Sequence, residues 1–290
     1  MWFWYGLAAA LVGAIEVVIS KKILNKVSPS LFTWSLFTLS LPLLAILSFK
    51  EGVGTSNHLF WIGTFGSSAF FVFSKTMSND SIKRGTLSKL FPLSGLGALF
   101  TYLFGLVILS ERLSFVAVLG IIVLIAGTYT LNVDRAREGI WQPIKLLFRE
   151  RISIVFIAAI ALSSLSGIFD KVGLTNISPR STLFTLFVED AFLSILLLGY
   201  LIRFEKNWLT QLKNNFGVLF LNSIIYMVSN LFTFAGFLAG PVALTSGVKR
   251  TQILFVFLLG IFLLKDKPTK HAWLTAALMI SGIVLLKYSP

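Results

Sequence analysis

The chain has 290 residues, of which 56% are hydrophobic and only 13% are charged, and its mean hydropathy is +0.86. A soluble domain of this length carries more charge and interrupts its apolar runs with polar faces, so the composition indicates a polytopic membrane protein. The formal net charge of +13 does not indicate a nucleic-acid partner, because the basic residues lie in short loops between apolar runs and are suited to anionic lipid headgroups.

Ten apolar runs follow one another along the chain, each close to the ~20 residues that a helix needs to cross the hydrocarbon core. The predicted spans cover residues 2–20, 31–49, 58–78, 86–109, 114–132, 152–170, 181–202, 215–237, 241–264 and 271–287. These runs are too long and too continuously apolar for barrel strands, so the predicted fold class is an all-α membrane protein. The first run lacks a basic start and a clear cleavage signal, and we expect it to be a retained span.

The 25 Lys and Arg residues are distributed unevenly, and 18 of them fall on one side of the predicted spans. Those 18 lie in the segments 21–26, 75–89, 135–151, 203–213 and 265–270. The positive-inside rule makes this side cytoplasmic and places both termini outside, in what we expect to be a prokaryotic cytoplasmic membrane. The longest connection, 133–151, contains the apolar segment 140–148, which is either a short interfacial helix or part of a plain charged linker.

Nothing in the sequence indicates a metal site, a cofactor or an enzyme. The chain contains no cysteine, which excludes thiolate metal sites and thiol catalysis. Its two histidines, His58 and His271, lie isolated at predicted span ends without an acidic cluster nearby. No nucleophile, base and metal ligands converge, so we expect neither a cofactor nor catalytic activity.

The two halves of the chain repeat each other. Residues 85–127 match residues 240–282 without a gap, so that Glu111 meets Asp266. Each half contains five predicted spans, an odd number, so the copies insert with opposite orientation, as in the inverted repeats of secondary transporters. The predicted domains are a first five-helix repeat over 1–132, a cytoplasmic linker over 133–151 and a second, inverted five-helix repeat over 152–290.

The order of the spans and several short motifs carry a family resemblance. These motifs are 81-SIKRGTLSKLFPLS-94, the span ends 109-LSERL-113 and 264-LKDKP-268, and 20-SKK-22 and 170-DK-171 ahead of Ser-Pro. In this arrangement the chain resembles the drug/metabolite transporter superfamily, EamA type. The resemblance implies secondary transport of a small metabolite, often export, with the substrate in a central cavity between the halves. Two departures are Gly97, where the family often has proline, and Asp266, where Glu is usual.

Two adjacent cations, Lys249 and Arg250, interrupt the ninth predicted span. In a continuous helix that enters near Gly240 they lie ~12–15 Å along the axis, near the midplane. A cation there costs about 2.5–3.5 kcal/mol and needs a partner or an anionic ligand. Glu189 and Asp190 lie at a similar predicted depth. The four residues either form a fixed interhelical ion pair or contribute to a site for an anionic or zwitterionic substrate, in which the acids tune the site or carry a proton.

Other polar residues extend the candidate substrate site. Gln252 lies one helical turn from Lys249 and is expected on the same face. Asn222, Tyr226 and Asn230 recur every four residues, and such a stripe serves either interhelical hydrogen bonding or cavity lining. The candidate substrate-binding residues are therefore Lys249, Arg250, Gln252, Lys89, Asn222, Tyr226 and Asn230.

Two further charged positions have two interpretations each, and one charged pair has a single interpretation. Lys89 either extends to the headgroups or meets substrate from the inside. Glu16 either pairs with Lys21 or Lys22 at the end of its span or couples transport to protons. If Glu189 and Asp190 do not form an ion pair, they are candidates for the same coupling role. The Asp-Lys pair at 170–171 is expected at a helix end.

The sequence therefore predicts a secondary transporter, expected to be an exporter, of a small polar metabolite such as an amino acid or other carboxylate. It would work by alternating access around a central cavity in the lipid bilayer, with protons as the candidate coupling ion. The alternatives are a flippase for lipid-linked headgroups and an exporter of cationic drugs, which would suit the acids better than the bases. The sequence leaves the oligomeric state open.

Overall fold

The computed structural model describes residues 1–84, 93, 95–130, 151–264 and 270–289. In chain order its helices are α1 (Trp2–Ile23), α2 (Pro29–Thr38), α3 (Leu41–Glu51), α4 (His58–Arg84), α5 (Leu96–Ile108), α6 (Phe115–Thr130), α7 (Arg151–Thr175), α8 (Thr182–Phe204), α9 (Trp208–Ala239), α10 (Val242–Lys249), α11 (Gln252–Leu264) and α12 (Lys270–Lys287). Two short strands, β1 (Thr55–Ser56) and β2 (Ile177–Ser178), complete the described elements. The candidate residue Lys89 and residues 133–150 of the predicted linker lie outside the described residues.

The helices have the lengths and compositions of membrane spans. Within the described ranges, six segments are long and apolar enough to cross a membrane, and three shorter helices are also apolar. The remaining helix, α4, has 27 residues and reaches about 40 Å. Together they give the ten spans that the sequence predicts, because α2 with α3 and α10 with α11 each form one broken span.

The second span is broken where a continuous helix was predicted. Leu39 and Ser40 separate α2 from α3, and Pro42 in the first turn of α3 has no N–H for a helical hydrogen bond. The hydroxyl of Ser40 lies 3.2 Å from the Phe37 carbonyl, which satisfies a buried polar group at the break. Ser40 and Pro42 therefore account for the break, although both lie within an apolar run that predicts one continuous helix.

The ninth predicted span, 241–264, is also broken. The helix α10 ends at Lys249, and α11 begins at Gln252 after Arg250 and Thr251. The expectation of one continuous helix through Lys249 and Arg250 is therefore wrong.

Two helices extend beyond the apolar runs on which their predictions rested. Helix α7 continues to Thr175, so residues 170–171 lie inside it and not at its end. Helix α9 begins at Trp208, and Asn215 departs from helical geometry (φ −123°, ψ 15°) near the predicted start of the span. A helix continues past the hydrocarbon without cost because its backbone groups remain paired internally.

The helices form two compact units. Unit 1 contains Met1–Val72 and Phe169–Gly240, and unit 2 contains Phe73–Ile168 and Pro241–Pro290. Each unit takes spans from both predicted repeats, and the boundaries between the units fall inside α4 and α7. The units therefore differ from the sequence repeats, whose boundaries stay a prediction.

In unit 1, α1 packs along α9, while α2 and α3 pack against α8. Leu31, Leu201 and Leu219 are fully buried in a cluster that joins α2, α8 and α9. Gly63 of α4 and Gly173 of α7 let two backbones approach closely, since a Cβ added at Gly63 would lie 2.8 Å from the Gly173 Cα. Glycine residues at this contact therefore allow α4 and α7 to pack closely, where large apolar side chains would hold them apart.

The strands of unit 1 form a two-residue antiparallel ladder in which Thr55 pairs with Ser178 and Ser56 with Ile177. The ladder joins the connection after α3 to the connection after α7. Both connections therefore lie at the same end of unit 1.

In unit 2, α6 packs along α12 and α5 packs along α10. Gly120 and Gly282 make the first contact close, because a Cβ added at Gly120 would lie 3.1 Å from the Gly282 carbonyl oxygen. The hydroxyls of Thr130 and Thr275 lie 3.0 Å apart and hydrogen-bond across the same helix pair. Close backbone approach and interhelical hydrogen bonds are the usual stabilisers of spans in lipid.

Candidate functional site

The cations Lys249 and Arg250 lie at the break between α10 and α11 in unit 2. At the break, the Thr251 N–H donates to the Val248 carbonyl at 2.9 Å, a three-residue hydrogen bond that tightens the chain into a 3₁₀-like turn. Gln252 is the first residue of α11, so the break separates it from Lys249, and its place on a shared helix face with Lys249 stays a prediction. We call residues 249–252 the cationic helix break.

The two helix ends at the cationic helix break explain how two cations are tolerated within a span. The last carbonyl groups of α10 carry partial negative charge, which favours Lys249 and Arg250 at this position. The first N–H groups of α11 carry partial positive charge, so an anion at the break would meet a helix N-terminus and the two cations together. Discontinuous helices of this kind form substrate sites in secondary transporters.

Gly97 of α5 shapes the surroundings of Arg250. Because Gly97 has no side chain, the guanidinium group lies against the α5 backbone, and a Cβ at this position would be 2.9 Å from Arg250 Cζ. Within the described part of the chain, Arg250 Nε and the Thr251 hydroxyl are buried without a hydrogen-bond partner. Unpartnered buried polar atoms are costly, so both atoms are suited to a ligand that supplies an acceptor.

Two buried carboxyl groups and one half-buried carboxyl group lie close together in unit 1. Glu189 and Asp190 of α8 are only 4% and 2% exposed, and the Glu189 carboxyl group lies beside that of Asp170 on α7. From α4, Ser67 donates to the Asp170 carboxylate, and the Ser68 hydroxyl donates to the Glu189 carbonyl at 3.2 Å. We call Asp170, Glu189 and Asp190 the acidic cluster; it joins α4, α7 and α8.

Part of the acidic cluster has no partner among the described residues. Glu189 Oε1 and Asp190 Oδ2 are both buried without a hydrogen bond. Beside the cluster in sequence, Lys171 donates to the Gly240 carbonyl at 2.8 Å. Asp170 was not among the predicted site residues, because its position at an apparent span end suggested a simple pair with the following lysine. In the structure α7 continues for five residues beyond Asp170, so this acid lies inside the helix and accepts a hydrogen bond from α4. The apolar run ends at Asp170, so no pattern in the sequence signals this contact.

Glu16 belongs to unit 1 but bonds to a different set of residues. The hydroxyl of Ser20 lies 2.5 Å from Glu16 Oε1, and the Asn222 side-chain amide lies 3.4 Å from the same oxygen. The side chains of Tyr226 and Asn230 hydrogen-bond to each other, and the Tyr226 ring packs against an aromatic ring of α2. The polar stripe predicted on the eighth span thus links α9 to α1 and to α2.

The structure brings the predicted site residues together in two groups. The cations and Gln252 belong to unit 2, and the acids and the polar stripe belong to unit 1. The ion pair predicted between the groups stays a prediction, as do the roles of the individual residues. The unit 1 group consists of Glu16, Glu189, Asp190, Asn222, Tyr226 and Asn230.

Comparison with known proteins gives one family and a fold. The model of the EamA-like transporter family matches residues 1–133 and 151–288. A solved structure titled only as the crystal structure of a protein superposes with a TM-score of 0.72 at 17% identity, over 98% of this chain and 96% of that chain. At this identity the likeness shows the fold alone. No curated protein matches the sequence.

Proposed function

Because the chain belongs to the EamA-like transporter family, we propose that it is a secondary transporter that exports a small carboxylate-bearing metabolite, such as an amino acid, by alternating access. Family membership confirms the resemblance read from the sequence, the all-helical membrane fold of ten spans in two inverted repeats, and the prediction of a transporter in place of an enzyme. The substrate class, the direction and the mechanism are the proposed part.

The cationic helix break carries the proposal for the substrate class. A carboxylate accepts two charge-assisted hydrogen bonds in the planar geometry that a guanidinium offers. Arg250 Nε and the Thr251 hydroxyl are buried and unpartnered within the described residues, and the N-terminus of α11 adds positive potential at the same point. These three features together favour a carboxylate over a neutral or cationic group.

The acidic cluster supports protons as the coupling ion. Two carboxyl groups in contact can share a hydrogen bond only when one of them carries a proton, so the neighbouring Asp170 and Glu189 are the candidate pair for proton exchange. Intramembrane acids of this kind mark proton relays in transporters. The proposal therefore assigns substrate binding to unit 2 and proton exchange to unit 1.

The orientation and the membrane are part of the proposal. The excess of Lys and Arg in one set of loops favours a cytoplasmic position for those loops, with both termini outside. The proposed location is the cytoplasmic membrane of a prokaryotic cell, with the lipid bilayer as the surrounding solvent.

A second candidate function is the export of an organic cation. The observation that favours it is the pair of buried oxygens without a hydrogen-bond partner, Glu189 Oε1 and Asp190 Oδ2, in the described part of unit 1. An ammonium group would satisfy both oxygens and offset the negative charge of the cluster. The two candidates predict opposite charges for the substrate.

The test is the thermal stability of the purified protein against a panel of amino acids, organic acids, phosphorylated metabolites and organic cations. A ligand that binds only the folded state at 100 times its Kd adds about 2.7 kcal/mol to the free energy of unfolding and raises the Tm. The variants are Lys249→Ala and, as a matched control, Lys50→Ala, whose lysine is exposed at the end of α3.

The proposal expects a carboxylate to stabilise the wild type and the Lys50→Ala variant, but not a well-folded Lys249→Ala variant. Stabilisation by organic cations alone, retained in Lys249→Ala, would contradict the proposal and favour the second candidate. A carboxylate response that survives in Lys249→Ala would remove this lysine from the site.

A further inference from the structure

The start of α10 is held by a side chain from another helix. Pro241 precedes α10 but offers no side-chain cap to the first N–H groups. The Val242 N–H instead donates to the carboxylate of Glu111, whose oxygens lie 2.9 and 3.2 Å away. Glu111 therefore satisfies an N–H group that the helix itself leaves unpaired.

The chain after α5 is shaped to deliver Glu111 to this position. Ser110 adopts a φ of +55°, in the left-handed region, which turns the chain at the end of α5. The Glu111 N–H then donates to the Gly105 carbonyl at 3.0 Å. Gly105 also leaves room for the side chain, because a Cβ there would lie 3.1 Å from Glu111 Oε2.

Helix α10 is short, and residues in or directly after α5 contact both of its ends. Its 8 residues extend about 12 Å, too short to be stable without tertiary contacts. Glu111, just past the end of α5, lies at the N-terminus of α10. Arg250, at the C-terminus of α10, lies against Gly97 of α5. The position of the cationic helix break therefore depends on how α10 is held along α5.

We propose that Glu111 is a positioning residue for the cationic helix break: by capping the N-terminus of α10, its carboxylate fixes where the other end presents Lys249 and Arg250. The effect of Glu111 on ligand affinity rests on the proposed function, whereas its effect on α10 does not. A carboxylate at a helix N-terminus also interacts favourably with the positive end of the helix dipole. A neutral acceptor therefore replaces only part of the stabilisation that Glu111 gives to α10.

The experiment compares the wild type with Glu111→Ala and Glu111→Gln in the intact chain. Arg112→Ala is the matched control, because Arg112 is the exposed neighbour of Glu111 in the same connection. The first readout is hydrogen–deuterium exchange over residues 241–250. The second is the apparent Kd for L-glutamate and for acetate, measured from the shift in Tm.

The proposal expects faster exchange confined to residues 241–250 in Glu111→Ala, with an about tenfold rise in the apparent Kd. Glu111→Gln keeps an acceptor oxygen for the Val242 N–H, so it should recover most of the protection and bind within about threefold of wild type. If the alanine variant does not fold, Glu111→Gln decides the test: exchange over residues 241–250 that is measurably faster than in both the wild type and Arg112→Ala supports the proposal, because the neutral amide lacks the carboxylate charge, and exchange equal to both overturns it. Arg112→Ala should match the wild type in both readouts.

Two results would overturn the proposal. One is unchanged exchange over residues 241–250 in Glu111→Ala and Glu111→Gln, which would mean that the cap does not hold α10. The other is faster exchange with unchanged affinity, which would separate the cap from the cations. If neither carboxylate stabilises the wild type, that result counts against the proposed function and not against the cap. Hydrogen–deuterium exchange alone then decides whether Glu111 positions α10.

Discussion

Unit 1 and unit 2 both place ionisable groups within membrane-spanning segments, but these groups carry opposite charges and lie on different kinds of backbone. The acidic cluster lies on the continuous helices α7 and α8 and is held by serine hydroxyls and by a contact between two carboxyl groups. The cations lie at a helix break, beside two helix ends. A carboxyl group can lose its charge by taking a proton, whereas an arginine keeps its charge and needs backbone dipoles or an anion.

The two sequence repeats also differ in charge, at one position in the fourth span of each half. Helices α5 and α11 begin at residues 96 and 252, which correspond to within one residue under the repeat shift. The equivalents of Lys249 and Arg250 are Ser94 and Gly95, which carry no charge. The two helices therefore begin at equivalent positions to within one residue, and the side chains before them make only the second copy cationic.

The largest expected effect separates proton exchange in unit 1 from substrate binding in unit 2. We expect Glu189→Gln to abolish substrate accumulation driven by a pH gradient in proteoliposomes, because glutamine cannot exchange a proton with Asp170. A one-unit gradient drives accumulation of at most about tenfold per proton, and the variant should lose this factor while exchange of labelled substrate at equal pH continues.

The control for this measurement is Glu51→Gln, because Glu51 also belongs to unit 1 but accepts a hydrogen bond from Ser181 outside the acidic cluster. It should accumulate substrate as the wild type does. Accumulation that persists in Glu189→Gln would show that the acidic cluster is not the coupling site, and the contrast between the units would then concern stability only.

An intermediate effect tests the Arg250 contact in unit 2. We expect Gly97→Ala to weaken carboxylate binding about fivefold, because the new methyl group displaces the guanidinium from the α5 backbone. The displaced atoms lie at the end of a flexible side chain, so the protein should still fold. The measurement is the concentration of carboxylate that gives half-maximal transport.

Gly95→Ala is the matched control for Gly97→Ala. A Cβ at Gly95 would lie 3.4 Å from the Thr128 Cβ, an ordinary contact, so we expect an affinity within about twofold of wild type. Equal affinities for the Gly97→Ala variant and this control would remove the Arg250 contact from the binding site.

The smallest expected effect is a coupling energy between the two units. We expect the effects of Glu189→Gln and Arg250→Gln on thermal stability to add in the double variant within about 0.5 kcal/mol, because the Glu189 carboxyl group contacts Asp170 within unit 1. A fixed ion pair between the acids and the cations predicts instead a coupling of about 0.5–3 kcal/mol. A coupling energy of that size would show that the acids and the cations form a structural ion pair, in place of the separate roles proposed for the two units.

Sequence reasoning found the charged residues of the candidate site but not all of their surroundings. Lys249, Arg250, Glu189 and Asp190 were found because a charge within an apolar run is visible in one dimension. Asp170 was missed as a member of the acidic cluster because its partners come from α4 and α8, more than a hundred residues away in one case. The capping role of Glu111 is likewise invisible in the motif that contains it, since Val242 lies 131 residues away.

The amino-acid sequence by itself determined the number of spans, their order and the opposite orientation of the two halves. Transfer of a helix into lipid depends on the apolar content of about 20 consecutive residues, and an odd number of spans per repeat fixes the inversion. Only the tertiary structure decided where spans break, which helix end meets Lys249 and Arg250, and which carboxyl groups lie beside one another. These features depend on hydrogen bonds and close contacts between helices distant in sequence, which no local apolar pattern contains.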